Sequence, residues 1–269
     1  MTIALGSGRF TCDMVFGLFS KDKGSAVQKT VERATNKLAQ QGDRIAALEK
    51  LRDEGTDDAL AGMCKRWSIT SSKGVDDEYE KNWVVDALVG HGLAAVAPLQ
   101  RFMKSAEQLS FALRVLDRLT STDDATAGKL AKSKALAFID ELLASEPPGY
   151  TRHPERRIDL ISWLAEWKTV SSSEVVPRLA PYLGDFDENA RFAAIDGLAH
   201  HETALIAAPF AHALARPDEE SGRIRRTLAE HMVSKKLPLG EHADAIASIL
   251  TGPLASLRIA DGFITGTVY

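Results

Sequence analysis

Three adjacent side chains, His200, His201 and Glu202, could bind a metal ion or exchange protons, and Asp196 lies about one helical turn before them. Neighbouring residues on a helix point about 100° apart, so adjacent histidines cannot both ligate one ion without a ligand from another segment. The sequence has no HExxH pattern to supply it. The sequence therefore favours a solvated helix end, where the helix dipole stabilises a histidine, and we predict no metal site here.

Nucleophilic catalysis has little support in the sequence. Cys64 stands beside Lys65 and Arg66, which could favour its thiolate, but a buried and inert thiol is the expected alternative. No serine lies in a nucleophile-elbow pattern, and no glycine-rich phosphate loop follows a strand. We therefore predict no catalytic residue and no cofactor, and the sequence favours a protein that is not an enzyme.

Two groups of side chains could bind a ligand without catalysing a reaction. The densest basic clusters include Arg156 and Arg157, and then Arg225, and could hold phosphate or an acidic partner segment; the alternative is an ordinary charged surface. Trp163 and Trp167 stand one helical turn apart and could form a stacking platform for a base or another ligand. The alternative for this pair is packing between neighbouring helices.

The overall charge disfavours nucleic acid and anionic membranes as partners. The 269 residues contain 33 Lys and Arg against 37 Asp and Glu, which gives a net charge of −4, and the pI is about 6.0. No apolar run approaches the roughly 18 residues needed to span a bilayer. The cysteines, Cys12 and Cys64, exclude a disulfide framework and a four-ligand zinc site, so the sequence favours a reducing cytoplasm.

The segment 173–201 predicts two short amphipathic helices joined by an acidic turn. Its apolar residues recur at three and four positions, as on one face of a helix. Ser173 can cap the first helix, Gly184 can end it, and Asp187 can cap the second. Two such helices cannot bury both apolar stripes against each other, so the unit needs similar neighbours. We therefore predict an all-α fold, an α-solenoid of stacked antiparallel helix pairs.

The spacing of Pro177, Asp185 and Arg191 resembles that of HEAT repeats. Asp185 follows Pro177 by eight residues and Arg191 follows six later. The resemblance is clearest over residues 173–216 and weaker over 43–120, and it is to bacterial HEAT-repeat (armadillo-like) proteins of unassigned function. It implies that Asp185 and Arg191 are a structural pair tying turns together. It also implies a curved surface that binds proteins without a cofactor.

Two short patterns predict helix ends in the first third of the chain. Gly55 suits the left-handed position at a helix end, with Thr56 or Asp57 capping the next helix. Asp77 is followed three residues later by Glu80, a spacing typical of a capping box.

We predict three parts along the chain: a flexible leader at 1–23, a HEAT-like solenoid at 24–251 and a C-terminal cap at 252–269. Met14 is the expected start of translation, with residues 1–13 disordered. Pro147 and Pro148 predict a bend near 145–154. The tail is rich in glycine and β-branched residues, which predicts a hairpin or an extended cap around Asp261 and Gly262. An alternative role for this tail is a sheet edge that docks a partner.

The leading functional hypothesis is a non-catalytic cytoplasmic adaptor that binds a protein partner on a groove lined by the second helix of each pair. Its candidate contact residues are arginines expected to be exposed on those helices: Arg114, Arg118, Arg156, Arg157, Arg225 and Arg226.

Two alternatives come from the same resemblance. HEAT-like alkylpurine DNA glycosylases and DNA-lesion binders use a basic groove with aromatic residues and an acidic residue. The acidic pI, and the lack of a clear Trp, Asp and Arg constellation in one repeat, argue against this reading. A HEAT-like bilin lyase is the second alternative, and no catalytic signature in the sequence supports it.

Overall fold

A computed structural model describes residues 26–71, 73–121 and 130–267, so the predicted leader, with Cys12 and Met14, lies outside the described residues. The described chain is mostly helical and has one short antiparallel strand pair near its C-terminal end, which confirms the predicted helical class and the hairpin. The chain divides into two compact units, Met1–Phe102 and Met103–Tyr269. Among the described residues, none of the helices combines the length and the hydropathy needed to cross a lipid bilayer.

Unit 1 is built from short helices joined by tight turns. Helix α2 packs against α3 and α4. As predicted, Gly55 ends α2 in the left-handed region at φ 59°, and the Thr56 side chain caps α3 by accepting a hydrogen bond from the Ala59 N–H at 3.3 Å. The helices are α1 (residues 26–34), α2 (Gln41–Glu54), α3 (Asp57–Cys64, continuing into a 3-10 turn at Lys65–Ser68), α4 (Gly74–Gly90, followed by a 3-10 turn at Gly92–Ala95) and α5 (Val96–Met103, whose last residue belongs to unit 2).

A buried network of five charged side chains links the helices of unit 1. Glu80 is fully buried and binds Arg44 Nη2 and Arg66 Nε, each at 2.7 Å. Asp77 binds Arg66 Nη2 at 2.7 Å and Lys81 Nζ at 2.8 Å. The predicted capping box is wrong, because α4 begins at residue 74 and Asp77 and Glu80 therefore lie inside the helix.

The network keeps both carboxylates ionised. Burial by itself would raise the pKa of Asp77, but hydrogen bonds from Lys81 and Arg66 outweigh it, and the pKa is lowered well below its usual range. Burial likewise opposes ionisation of Glu80, and hydrogen bonds from Arg44 and Arg66 reverse the effect, so its pKa is also lowered. These two carboxylates therefore stabilise the folded state while they remain charged.

Unit 2 consists of eight consecutive helices within the described residues, and several of them pack on the helix two positions along the chain. Among the second helices, α8 packs against α6 and α10, and α10 packs against α12; among the first helices, α11 packs against α9 and α13. Its helices are α6 (Ser110–Ser121), α7 (Lys132–Ser145), α8 (Pro154–Glu166), α9 (Ser172–Leu179, continuing into a 3-10 turn at Ala180–Gly184), α10 (Glu188–Leu198), α11 (Thr203–Ala215), α12 (Gly222–Lys235) and α13 (Ala243–Ile249).

Local sequence explains how these helices begin and how closely they approach. The capping box of α9 uses Ser171 and Glu174, not the predicted Ser173, and hydrogen bonds from Ser171 lower the pKa of Glu174 to about 2. Asp187 caps α10 as predicted, accepting from the N–H groups of the second and third helical residues at 2.9 and 3.0 Å. Gly197 lets α10 approach α8, because a Cβ there would lie 2.6 Å from the Cβ of Ala165.

The chain ends in a β-hairpin. Strands β1 (Arg258–Ala260) and β2 (Phe263–Thr265) pair antiparallel, and Asp261 and Gly262 between them have φ of 53° and 80°. Two successive positive φ values are typical of a type I′ turn, the form that Asp-Gly favours. Strand β2 packs against α12, and β1 against α13. The hairpin thus follows α13 along the chain where a second helix follows α9 and α11.

Candidate functional site

The six candidate arginines fall into two groups. Arg114, Arg118 and Arg226 are exposed and Arg225 is half-buried, whereas Arg156 and Arg157 are 6% and 2% exposed. The expectation that the last two are exposed is wrong. Their positions in α8 place them against the neighbouring turns instead of at the surface.

Arg156 holds the backbone that precedes α6 in unit 2. Its Nη1 donates to the backbone carbonyls of Met103, at 2.6 Å, and Ala106, and its Nε lies 2.7 Å from Glu146 Oε1. In the same region the Asp159 carboxylate accepts the N–H of Leu109 at 2.7 Å. Burial raises the pKa of Asp159, and hydrogen bonds from the backbone N–H groups of Leu109 and Ser110 oppose this effect. These contacts give Arg156 a structural role.

Arg157, Asp185 and Arg191 form a chain of contacts between successive helix pairs. Arg157 Nη1 donates to Asp185 Oδ2 at 2.6 Å. Arg191 Nη1 donates to the Asp185 carbonyl at 2.9 Å, and its Nε lies 2.8 Å from Glu219 Oε2. The side chains of Asp185 and Arg191 therefore bind different partners, Arg157 and Glu219, instead of each other. Pro177 lies within α9. Sequence reasoning missed Glu219, although it follows Asp185 by one 34-residue repeat.

A cleft of about 440 Å³ brings two exposed arginines and both central tryptophans together. It lies on α6, the end of α8 and the residues after α8. The Trp163 and Trp167 rings stack with centroids 4.6 Å apart and planes tilted by 30°. Trp163 is half-buried, whereas Trp167 is only 3% exposed and its buried indole nitrogen has no hydrogen-bond partner. We call this cavity the Trp163 cleft; its lining side chains are Arg114, Asp117, Arg118, Ser121, Trp163, Glu166, Trp167, Lys168 and Thr169.

The Trp163 cleft carries charges of both signs. Arg114 lies over the Phe111 ring, with its guanidinium carbon 5.5 Å from the centroid. Burial raises the pKa of Asp117, and the nearby charge of Lys168 opposes this effect. Lys168 was not singled out in the sequence, because it belongs to a loop far from α6 along the chain. The spacing of residues along the chain does not indicate that α6 and the loop after α8 lie side by side in the fold.

The cleft also gathers the Trp, Asp and Arg combination that the sequence did not place in one repeat. Trp163 comes from α8, whereas Asp117, Arg114 and Arg118 come from α6. An indole face, guanidinium groups and a half-buried carboxylate can together hold a ligand with a flat apolar part and a polar or anionic part.

Among the described residues, two other depressions are larger than the Trp163 cleft. One, of about 570 Å³ in unit 1, is lined by Arg52 and Trp83 among others; Arg52 already binds the adjacent Asp53 at 2.8 Å. The other, of about 600 Å³ in unit 2, is mostly apolar, and its Arg216 binds Asp218 at 2.6 Å. The Trp163 cleft differs from both in combining two arginines with a stacked pair of tryptophans, and it is taken as the candidate site for that reason.

The histidine cluster and the cysteine show contacts of a structural kind. Nδ1 of His201 lies 3.1 Å from the Ser172 hydroxyl, which joins the end of α10 to the start of α9, and burial lowers the pKa of His201. His200 is exposed. Within the described ranges, no group of three or more His, Cys, Asp or Glu side chains is placed to hold a metal ion.

Cys64 is a buried free thiol, and burial raises its pKa to about 12.

No protein-family model matches this sequence, and the curated proteins gave no match. The search of solved structures finds a similarity to human deoxyhypusine hydroxylase in complex with glycerol, with 16% sequence identity and a TM-score of 0.35, covering 88% of this chain and 93% of that one. A similarity at that TM-score carries no argument about fold or function.

Proposed function

We propose that this protein is a non-catalytic, cytoplasmic adaptor whose helix pairs form a HEAT-like α-solenoid that binds a protein partner on the face of its second helices, with the Trp163 cleft at the centre of the interface. The layer made by α6, α8, α10 and α12 supports this reading, since repeated second helices offer a continuous face. The free, buried thiol of Cys64 fits a reducing compartment.

One observation carries the proposal: the Trp163 cleft combines a half-buried tryptophan with the exposed side chains of Arg114 and Arg118. Tryptophan and arginine are the residue types that most often dominate the binding energy of protein interfaces. A guanidinium group stays protonated near neutral pH, so what it contributes here is binding through charge and hydrogen bonds. The cleft suits a partner segment with an apolar side chain for the indole and a carboxylate for the arginines.

The revised contact set follows from burial. Arg114, Arg118, Arg225 and Arg226 stay in the proposed interface. Arg156 and Arg157 leave it, because their guanidinium groups bind carbonyls and carboxylates inside unit 2.

Affinity capture from a lysate of the source organism, followed by quantitative mass spectrometry, tests the proposal. The bait is the full chain, compared with Arg114→Glu/Arg118→Glu. The matched control is Arg152→Glu/Arg258→Glu, which reverses two exposed arginines that do not line the cleft. We expect one or more proteins to be enriched by the native chain and the control and lost with the first double variant. Equal enrichment by all three baits would refute the assignment, provided that circular dichroism shows the variants folded.

Nucleic-acid binding is the second candidate, and it is favoured by the meeting of Trp163, Asp117 and Arg118 in one cleft. Aromatic stacking on a base combined with guanidinium contacts to phosphate is a common mode of binding unpaired nucleotides. The net charge of −4 opposes it. A gel-shift with single-stranded DNA and with alkylated duplex, at low and physiological salt, decides the matter: binding lost in Trp163→Ala would favour this candidate over the adaptor.

A further inference from the structure

A regular series of arginines runs through the second helices of unit 2. Arg157, Arg191 and Arg225 are each the fourth residue of their helix, α8, α10 and α12, and they follow one another at intervals of 34 residues. The first two bind a carboxylate that lies 28 residues further along the chain, Asp185 and Glu219 respectively. Each of these carboxylates comes from the turn before the next second helix, so each contact joins one helix pair to the following one.

The third member of the series has no such partner. The residue 28 positions after Arg225 is Pro253, which lies in the 3-10 turn Gly252–Leu254, and this turn packs against α12. Proline has no side-chain acceptor. Across the described parts of the chain, no ion pair or side-chain hydrogen bond involves Arg225.

The surroundings of Arg225 do not supply a carboxylate either. The other arginines of the first turns of α12 already have acidic neighbours: Arg223 lies 3.9 Å from Glu188, and Arg226 binds Glu230 at 3.1 Å. Arg225 is half-buried, so its charge is partly removed from water. A partly desolvated guanidinium without a counter-ion is destabilising, and a carboxylate that reached it would relieve that cost.

We propose that Arg225 is a binding site for a carboxylate supplied by another protein, with an Asp or Glu side chain of the partner taking the place that Asp185 and Glu219 occupy at the two preceding positions. A guanidinium group and a carboxylate match in charge and in planar geometry, which makes this the natural ligand class. This proposal rests on the proposed adaptor function in one respect: that the carboxylate belongs to a partner protein. The site itself depends on the contacts of unit 2 alone.

The first test follows the arginine Nε–Hε resonances of the full chain by NMR during titration with sodium acetate, against sodium chloride at equal ionic strength. We expect a saturable shift at Arg225 with acetate and none at Arg157 or Arg191, which already hold carboxylates. A response to acetate no larger than that to chloride would overturn the proposal. A saturable response to sodium phosphate but not to acetate would overturn the choice of carboxylate.

The second test closes the gap within the chain. Pro253→Asp places a carboxylate where the series lacks one, and Pro253→Asn is the uncharged control of the same shape. We expect the acetate response of Arg225 to vanish in the Asp variant and to persist in the Asn variant. We also expect the Asp variant to melt about 2–4 °C above the Asn variant, and this difference to disappear in an Arg225→Met background. Identical behaviour of the two variants would contradict the proposed geometry.

These results are separable from the fate of the adaptor proposal. An acetate response at Arg225 that depends on position 253 supports the site even where partner capture does not depend on the Trp163 cleft. Conversely, partner capture that depends on the Trp163 cleft supports the adaptor proposal even if the Arg225 resonance does not shift with acetate.

Discussion

Replacing Glu80 with glutamine should strongly destabilise unit 1. Glu80 accepts hydrogen bonds from Arg44 Nη2 and Arg66 Nε, each at 2.7 Å, and all three side chains are at most 5% exposed. Glutamine keeps the shape but removes the charge, which leaves Arg44 without a carboxylate partner and Arg66 with Asp77 alone. Removing one partner from a buried ion pair typically costs about 3–5 kcal/mol, a large part of the ~5–15 kcal/mol that stabilises a typical domain.

The pH dependence of this effect has a definite sign. The pKa of Glu80 is lowered in the folded protein, so its stabilising contribution is complete above the unfolded value of about 4.3 and is lost as pH falls through the folded value. The difference between the native chain and Glu80→Gln should therefore be largest near pH 7. It should shrink as the pH is lowered below about 4.

Hydrogen exchange in increasing urea, followed by mass spectrometry, measures the free energy of opening for each unit separately. Peptides from α2 and α4 should show the loss. The control is Asp53→Asn, which breaks an exposed contact with Arg52 and should cost less than about 1 kcal/mol. A Glu80→Gln variant whose free energy of opening stays within about 1 kcal/mol of the native value at pH 7 would contradict this role for Glu80.

Three further predictions concern other contacts. Asp185→Ala should lower the unfolding free energy of unit 2 by about 3–5 kcal/mol in urea titrations, because Arg157 loses its buried partner; an effect below about 1 kcal/mol would contradict the structural role. Gly197→Ala should lower the melting temperature, since the added methyl clashes with Ala165 at a cost of about 1–3 kcal/mol that exceeds the gain of up to about 1 kcal/mol in helix propensity; an unchanged or raised melting temperature would be evidence against this packing. In a variant lacking the other cysteine, the native thiol of Cys64, with its pKa near 12, should react with a thiol reagent at pH 8 about a thousandfold more slowly than in urea, and fast labelling of the folded protein would show that it is accessible.

Local signals allowed much of the helical framework to be predicted. The left-handed Gly55, the cap at Asp187 and the Asp261–Gly262 turn each depend on a few consecutive residues, and the structure confirms all three. The periodicity of apolar residues likewise indicated the helices, because the apolar face of a helix depends only on the spacing of residues within that helix.

Contacts between distant segments could not be predicted in the same way. Arg156 and Arg157 look like a basic surface cluster in sequence, and only their acceptors in other turns, such as Asp185, show that they are buried. Asp77 and Glu80 have the spacing of a capping box, yet Arg44 and Arg66 draw them into a buried network. In each case a long-range ion pair decides the role of a residue whose local pattern suggests another.

In the proposed adaptor, the Trp163 cleft binds a protein partner. The most direct measurement is the dissociation constant of the most enriched captured protein, determined by biolayer interferometry against the native chain, Trp163→Ala and the control Arg152→Glu/Arg258→Glu. We predict that Trp163→Ala weakens binding by about 30-fold, which corresponds to about 2 kcal/mol for a residue that dominates an interface, and that the control binds like the native chain. A folded Trp163→Ala variant that binds with unchanged affinity would contradict the account.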